Sequence, residues 1–289
     1  MTTFHQLILW GIKELSPITD EAKIEIEHIL TTSFKIDTTK LILNLNCKIS
    51  SNKSLALFKS YIKKRKTGVP LGYVLGKWHF RENLYYIKKG VLIPRPETEL
   101  LVEKAIRKIA ALLKDGKKVN VIEVGFGSGI ISIELALTFK GLHLHAWDIS
   151  KKAFEVANEN ASKLRTSNIS FYNCDFFKSL PTLDKLINNK AVNIIISNPP
   201  YIPSYDINSL EKKVKDFEPK TALNGGKSGL VYYKKLFKLI NTYANLNFAF
   251  EIGIQQKEQL LKLLKNYKTK NIEFENDLNN IPRVLWIES

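Results

Sequence analysis

The sequence predicts an α/β protein: a doubly wound, mostly parallel sheet of seven strands, preceded by a small helical bundle and joined to it by a β-hairpin linker. Three observations carry this expectation. Residues 1 to 70 space their apolar side chains only at helical intervals. Residues 71 to 93 change to aromatic and β-branched residues broken by Gly76 and Gly90, as a hairpin or extended linker does. From residue 94 to 289 helix and strand patterns alternate, the mark of a sheet built from βαβ units. The expected domains are therefore 1–70, 71–93 and 94–289.

The elements follow in order. A first helix carries Leu7, Leu9, Trp10, Ile12 and Leu15; a second, capped by Thr19 or Asp20, carries Ala22, Ile24, Ile26, Ile29 and Leu30. Two short helices start near Asp37 (Leu41, Ile42, Leu45) and near Ser51 (Leu55, Phe58, Tyr61, Ile62). After the linker come a helix at 97–113, a strand at 119–124, a helix after Gly129 and a strand at 142–147. A helix from Lys151, strands at 169–172 and 192–196, and a helix at 229–243 continue the series. A strand at 248–252, a helix at 255–264 and closing strands at 272–274 and 284–287 complete it. Right-handed crossovers then align the C-terminal ends of the strands closing at Val124, Trp147 and Ser197, so that their loops can share one ligand.

Composition narrows the function classes. With 289 residues and 44% hydrophobic content the chain can bury a sizeable core and is not disordered. No apolar stretch approaches the roughly 18 residues of a membrane span, and the start Met1-Thr2-Thr3-Phe4-His5 has no basic region, so a cytoplasmic protein without a membrane partner is expected. Cys47 and Cys174 lack a CxxC or a histidine at ligand spacing; no disulfide framework and no metal site are expected, and both read as buried small hydrophobes. The net charge of +16 would suit a nucleic-acid partner, but the excess is largely lysine amid abundant Asn and Ile, the mixture an AT-biased genome writes onto any surface. The clusters Lys63-Lys64-Arg65-Lys66, Lys117-Lys118 and Lys212-Lys213-Lys215 read as solvated faces.

Chemistry concentrates at three of the strand ends and the loop after a fourth strand. The run Val192 to Ile196 stops at Asn198-Pro199-Pro200-Tyr201. Two prolines stiffen that loop, and the Asn198 side-chain oxygen and Pro199 carbonyl can accept the two hydrogens of one planar NH2 group; an ordinary strand-ending turn is the alternative. Glu123-Val124-Gly125-Phe126-Gly127-Ser128-Gly129 leads from a strand into an apolar helix, with an acid that can accept from an ammonium group and glycines that admit a ligand or simply make a tight turn. A phosphate cradle is disfavoured by the GxGxG spacing, the missing Lys-Ser/Thr and the charge of Glu123. Asp148 ends the next strand, where a carboxylate can chelate a ribose diol or cap a helix. Asp175-Phe176-Phe177 offers an acceptor beside aromatic faces that can read and stack an adenine.

In this order the four segments resemble the class I methyltransferases that use S-adenosylmethionine, and Asn-Pro-Pro-Tyr narrows the likeness to enzymes that methylate planar nitrogen. Pro70-Leu71-Gly72-Tyr73 with Gly76 and Phe80, then Leu92-Ile93-Pro94-Arg95-Pro96-Glu97-Thr98-Glu99, is similar to the interdomain signature of the peptide chain release factor glutamine N5-methyltransferases. Phe217-Glu218-Pro219 with Ala222-Leu223, Gly225-Gly226 and Ser228-Gly229-Leu230, and Phe250-Glu251-Ile252-Gly253 with Gln255-Gln256, resemble that family's later segments. The likeness covers residues 70 to 289, with a helical part of the right size before it.

The resemblance implies a Rossmann-like methyltransferase sheet, S-adenosyl-L-methionine as cofactor and the glutamine of a release factor's Gly-Gly-Gln motif as substrate. It implies cofactor contacts from Glu123, Gly125, Phe126, Gly127, Ser128, Gly129, Asp148, Asp175, Phe176 and Asn198. It implies substrate contacts from Asn198, Pro199, Pro200 and Tyr201, with Asn198, Pro199 and Tyr201 catalytic and Tyr201 packed on the amide plane. A monomer with release factors as partners and no stable nucleic-acid partner is expected. Glu123 stands where the family usually has Asp, Phe176 where it often has Trp, and Asn279-Asn280 where a Gly commonly precedes the Arg283 region. The alternative is a nucleic-acid adenine-N6 methyltransferase, which the charge would suit; against it, the chain offers no separate domain to flip and read a base. A binding module that merely retains the fold would not require the acceptor pair at Asn198 and Pro199. His79 and Glu97 are weak candidates for a general base.

Overall fold

A computed structural model describes residues 2–187 and 190–289. The chain forms two compact units, Met1–Lys77 with Glu211–Phe217, and Trp78–Leu210 with Glu218–Ser289.

The first unit is helical. α1 (Phe4–Leu15) opens on a capping box in which Thr3 accepts from the Gln6 amide and the Gln6 side chain accepts from that of Thr3. α2 (Ala22–Phe34) starts after Glu21, one residue beyond the expected cap, and has no side-chain cap. α3 (Thr38–Leu43) and α4 (Asn52–Lys66) are capped by Asp37 and Ser51, the residues their sequences advertise. α5 (Leu71–Leu75) lies in the stretch read as extended; Pro70 before it and Gly76, at φ 69°, after it bracket a single short helical segment. Leu7, Leu15, Ile26, Ile29, Leu30, Phe58 and Ile62 form the core of the bundle.

One basic cluster is not the solvated face expected. Lys63, Lys64 and Lys66 are exposed, but Arg65 is 2% exposed and forks onto the buried Glu25, Nε to Oε2 at 2.7 Å and Nη2 to Oε1 at 2.9 Å. The reason is helical period: Phe58, Ile62 and Arg65 fall on one face of α4.

The second unit follows the alternation read from the sequence. A hairpin of β1 (Lys77–Phe80) and β2 (Asn83–Tyr86) precedes α6 (Glu97–Lys114), β3 (Val119–Val124), α7 (Ile130–Thr138), β4 (Leu144–Asp148), α8 (Lys151–Lys163) and β5 (Ile169–Asn173). Then come α9 (Leu180–Leu186), β6 (Val192–Ser197), α10 (Lys212–Lys215, within the first unit) and α11 (Lys220–Leu223). α12 (Val231–Phe237), β7 (Leu246–Glu251), α13 (Lys257–Leu264), β8 (Asn271–Asn276) and β9 (Pro282–Glu288) close the chain. The helix expected to reach residue 243 stops at Phe237 and continues as the 3-10 turn Lys238–Asn241.

Seven strands order as β5-β4-β3-β6-β7-β9-β8, parallel from β5 to β7, with β9 antiparallel to both neighbours. β6 and β7 are buried almost throughout, as central parallel strands covered on both faces must be. Cys47 and Cys174 are both exposed, contrary to expectation; Cys47 lies in the turn after α3 and Cys174 in the loop after β5, so neither falls on the inward face of a helix or strand. No described helix is long and apolar enough to cross a membrane.

Candidate active site

Three strand ends meet at one edge of the sheet. Parallel pairing sets Val124 beside Trp147 and Glu123 beside Ile196, so the loops after β3, β4 and β6 open together. The order reverses here, between β3 and β6, the place where open α/β sheets hold ligands. A cavity at this edge is lined by Val124, Gly125, Gly127, Trp147, Asp148 and Ile149 from the first two strands and by Ser197, Asn198, Pro199 and Pro200 from the third. Cys174, Asp175, Phe176 and Phe177 from the loop after β5, with Val91, Tyr232 and Lys235, complete much of the wall. Ser197 Oγ donates to the Val124 carbonyl at 2.6 Å and ties β6 to β3 at the rim.

The glycine loop takes the conformation its residues allow. Gly125, Gly127 and Gly129 have φ of 81°, 54° and 82°, a region other residues enter only with strain. A Cβ on Gly125 or Gly127 would meet no heavy atom within 4 Å, so space is left beside them. On Gly129 it would come 2.9 Å from the Ala157 Cβ, so this glycine lets α7 approach α8.

Asp148 holds the loop in place. Its Oδ2 accepts from the Gly127 amide at 2.9 Å and its Oδ1 from the Ser150 amide at 2.8 Å. Ser150, not Asp148, caps α8, accepting from the Ala153 amide. A carboxylate offers about four acceptor directions, so two remain. Burial raises the Asp148 carboxyl above its ordinary range, against the pull of the two backbone bonds. Asp175 accepts from the Phe177 amide at 2.9 Å, and the buried Phe176 ring stands edge-on to Trp147 with centroids 5.7 Å apart.

Other residues singled out in the sequence stand behind the wall rather than in it. Glu123 is 1% exposed; its Oε2 accepts from the backbone amide of Ser132 at 2.9 Å and from the Ser132 hydroxyl, fixing the first turn of α7. Its Oε1 is buried with no hydrogen-bond partner, and burial pushes the carboxyl up to about 7 against the Ser132 bonds. Phe126 turns its ring onto Phe171, and the Ser128 carbonyl accepts from Asn160 Nδ2 at 2.9 Å. Phe126, Ser128 and Gly129 thus shape the loop from beneath.

The Asn-Pro-Pro-Tyr segment is held by groups that sequence reasoning had not assigned to the site. Asn198 Nδ2 donates to Thr98 Oγ1 at 3.1 Å, and Thr98 Oγ1 in turn donates to Glu251 Oε2 at 2.5 Å. Tyr201 does not line the cavity; its hydroxyl donates to Glu251 Oε1 at 3.2 Å. Burial and the Glu251 carboxylate push the Tyr201 phenol well up, so it remains a donor. The Tyr201 hydroxyl thereby braces the loop on Glu251. The Tyr201 carbonyl accepts from Gln256 Nε2 at 3.0 Å. Thr98 and Glu251 lie within segments that carried the family likeness, but they are 153 residues apart and no spacing links them. Among the described residues no group of His, Cys, Asp and Glu is arranged to hold a metal ion.

Comparison with known proteins agrees with this geometry. Residues 6–76 match the PrmC N-terminal domain and residues 115–269 a methyltransferase domain. Release factor glutamine methyltransferases of Bacillus cereus (34% identical, covering 91% of each chain), Bacillus subtilis (33%, covering 99% of this chain and 97% of the relative) and Mycoplasma mycoides (33%, covering 92% and 93%) are similar to it. The solved catalytic domain of hMettl16 in complex with MAT2A 3'UTR hairpin 6 shares the fold, with TM-score 0.50 over 84% of this chain and 85% of its own at 14% identity. With a methyltransferase domain and a PrmC N-terminal domain matched, a cavity at the switch point of the sheet and relatives above 30% identity along nearly the whole length, the chain belongs to the release factor glutamine methyltransferase family.

Proposed function

We propose that the cavity at the ends of β3, β4 and β6 holds S-adenosylmethionine, and that Asn198 and Pro199 present to it the side-chain amide of the glutamine in the Gly-Gly-Gln motif of class 1 release factors. The observation that carries this reading is the state of Asn198. It lines the cavity, its Nδ2 is engaged by Thr98, and among the described residues no donor occupies its Oδ1.

The residues present fit the cofactor. Gly125 and Gly127 leave room for close approach, Asp148 keeps acceptor directions for a ribose diol, and Asp175 with Phe176 offers an acceptor beside an aromatic ring. When bound, the cofactor supplies an electrophilic methyl group on a sulfonium.

The chain's own residues address the nucleophile. An amide nitrogen is weak because its lone pair is shared with the carbonyl. Two acceptors, Asn198 Oδ1 and the Pro199 carbonyl, engage both N–H bonds, favour pyramidal nitrogen and aim the recovered lone pair, which is positioning and electrostatic stabilisation rather than strong-base catalysis. Pro200 stiffens the loop, and Tyr201 anchors it to Glu251. Neither His79 nor Glu97 lines the cavity, and Glu97 faces Arg283 at 3.5 Å, which supports a mechanism without a general base at either position.

Residues 1–70 are assigned to contact with the release factor and not with the cofactor, since the cavity wall begins at Gly90. The reading takes the protein as a cytoplasmic monomer without a stable nucleic-acid partner. Incubation of the full chain with labelled cofactor and folded release factor should place the label on the Gly-Gly-Gln glutamine, with DNA unlabelled. Asn198→Ala should lower kcat by on the order of a hundredfold or more while release factor binding changes little. Efficient labelling of adenine in DNA, with the release factor glutamine left unmodified, would sink the reading in favour of the adenine alternative.

A further inference from the structure

We propose that Thr98 is a positioning residue, which, held by the buried Glu251, fixes the orientation of the Asn198 carboxamide so that its oxygen faces the reacting nitrogen. The inference rests on the reading that Asn198 Oδ1 accepts from the substrate amide, and it explains how that oxygen is kept on the correct side.

A carboxamide has nearly the same shape with its oxygen and nitrogen exchanged. In the exchanged state the NH2 would meet the NH2 of the substrate, donor against donor, and one of the two acceptors would be gone. Something must distinguish the ends. The ionised Glu251 carboxylate can only accept, so the single Thr98 proton is committed to Oε2. Thr98 Oγ1 then has only lone pairs to offer Asn198, and the amide must turn its nitrogen inward and its oxygen toward the cavity. The polarity of the relay follows from its carboxylate end.

The relay is built where its preference is strong. Thr98 is 2% and Glu251 1% exposed, so water does not compete for these bonds. Thr98 lies in the first turn of α6, Glu251 at the end of β7 and Asn198 just past β6, so three elements converge on one hydroxyl. Glu251 also takes the Tyr201 hydroxyl on its other oxygen, and its backbone carbonyl takes the Tyr233 hydroxyl at 2.7 Å. The same carboxylate thereby holds both ends of the Asn-Pro-Pro-Tyr segment.

Protonation would reverse the relay. A Glu251 carboxylic acid can donate to Thr98, freeing the Thr98 proton for Asn198 Oδ1 and turning the amide around. Burial raises the Glu251 carboxyl to about 7, against the Thr98 and Tyr201 bonds; of the charged groups facing it, Glu97 on α6 adds to the rise and Arg283 on β9 opposes it, while Tyr201 and Tyr233 are both held in the neutral form. Turnover should therefore increase with pH as Glu251 ionises.

The test compares Thr98→Val, Thr98→Ser, Glu251→Gln and Asn198→Ala in the full chain, with labelled cofactor and folded release factor. Thr98→Val, near in shape and lacking the hydroxyl, should lower kcat by roughly ten- to a hundredfold with KM for release factor and Kd for cofactor within about twofold, and Thr98→Ser should recover to within about threefold of the parent. Glu251→Gln cannot accept from both hydroxyls without a donor of its own facing one of them, so its kcat should be low and should lose the rise near pH 7 while the cofactor still binds. If Asn198→Ala retains full turnover, the underlying reading of the site fails. If Asn198→Ala collapses but Thr98→Val keeps the parent kcat, only the relay fails. If Thr98→Val loses cofactor affinity and thermal stability in step with kcat, and Thr98→Ser does not restore them, Thr98 is structural and the relay is overturned.

Discussion

At the scale of single residues, the molecule divides its polar side chains between reaching the cavity and holding the parts that do. Asp148 does both, and the sequence showed only half of that. A carboxylate ending a strand after a glycine loop suggests a ribose acceptor; that it also takes the Gly127 and Ser150 amides depends on the loop folding back onto it, which no spacing reveals. Asp148→Ala should therefore have two effects rather than one. Cofactor binding should weaken by about 1.5 to 3 kcal/mol, and the apo protein should lose about 1 kcal/mol as two half-buried amides lose their acceptor. Calorimetry of cofactor binding beside apo thermal unfolding measures both, and an unchanged apo Tm would show that the loop does not lean on this carboxylate. Asn198, Pro199, Asp148, Asp175 and Phe176 were legible because each sits at or beside a strand end, where chain order alone predicts convergence. Thr98 and Glu251 were not, because a buried polar relay leaves no periodic trace.

At the scale of elements, periodicity placed the sheet strands and most helices, and it failed where a few residues of special geometry overrode it. Residues 71–75 form a short helical segment because Pro70 and Gly76 bracket them, although their composition reads as extended. The closing turn before β9 keeps the shape a glycine would give. Asn280 adopts φ 60° there, and its side-chain oxygen accepts from Asn276 Nδ2 at 2.7 Å, a left-handed position that Asn tolerates better than most residues. In α4 a basic run hid a core residue: Arg65 follows Phe58 and Ile62 on the buried face and forks onto Glu25 of α2. Removing one partner of such a pair leaves the other as an uncompensated buried charge. Arg65→Ala should destabilise the protein by about 3 to 5 kcal/mol, whereas the paired change Arg65→Met with Glu25→Leu should cost far less. Urea unfolding of both variants separates the two, and a loss below about 1 kcal/mol for Arg65→Ala would mean that the pair is solvated in solution.

At the scale of the whole molecule, function and stability should respond to pH in opposite directions. Two buried carboxyls at the sheet's C-terminal edge, Glu123 and Glu251, are raised by burial from 4.5 to about 7. Between those values the folded chain holds protons that the unfolded chain has released, so stability falls as pH rises through this window and levels off above about 7. The paired acids on the far strands act the other way. Glu273, lowered to about 2 by hydrogen bonds to Lys104 and Lys108, and Asp277, lowered by Arg283, add stability that is lost only as pH falls below the ordinary carboxylate range. The net charge of +16 sharpens that acid limb, since protonating further carboxylates increases self-repulsion. Tm should therefore peak near pH 5, decline toward pH 7 and drop steeply below about pH 4. Glu123→Gln and Glu251→Gln should each flatten the decline between pH 5 and 7, because each removes one proton released in that window. The relay through Thr98 requires an ionised Glu251, so turnover should climb over the interval in which stability declines. Thermal unfolding across pH 3 to 9, beside kcat over the same range, tests the pairing; a Tm that rises from pH 5 to 7 would show that neither carboxyl is held protonated in the folded state.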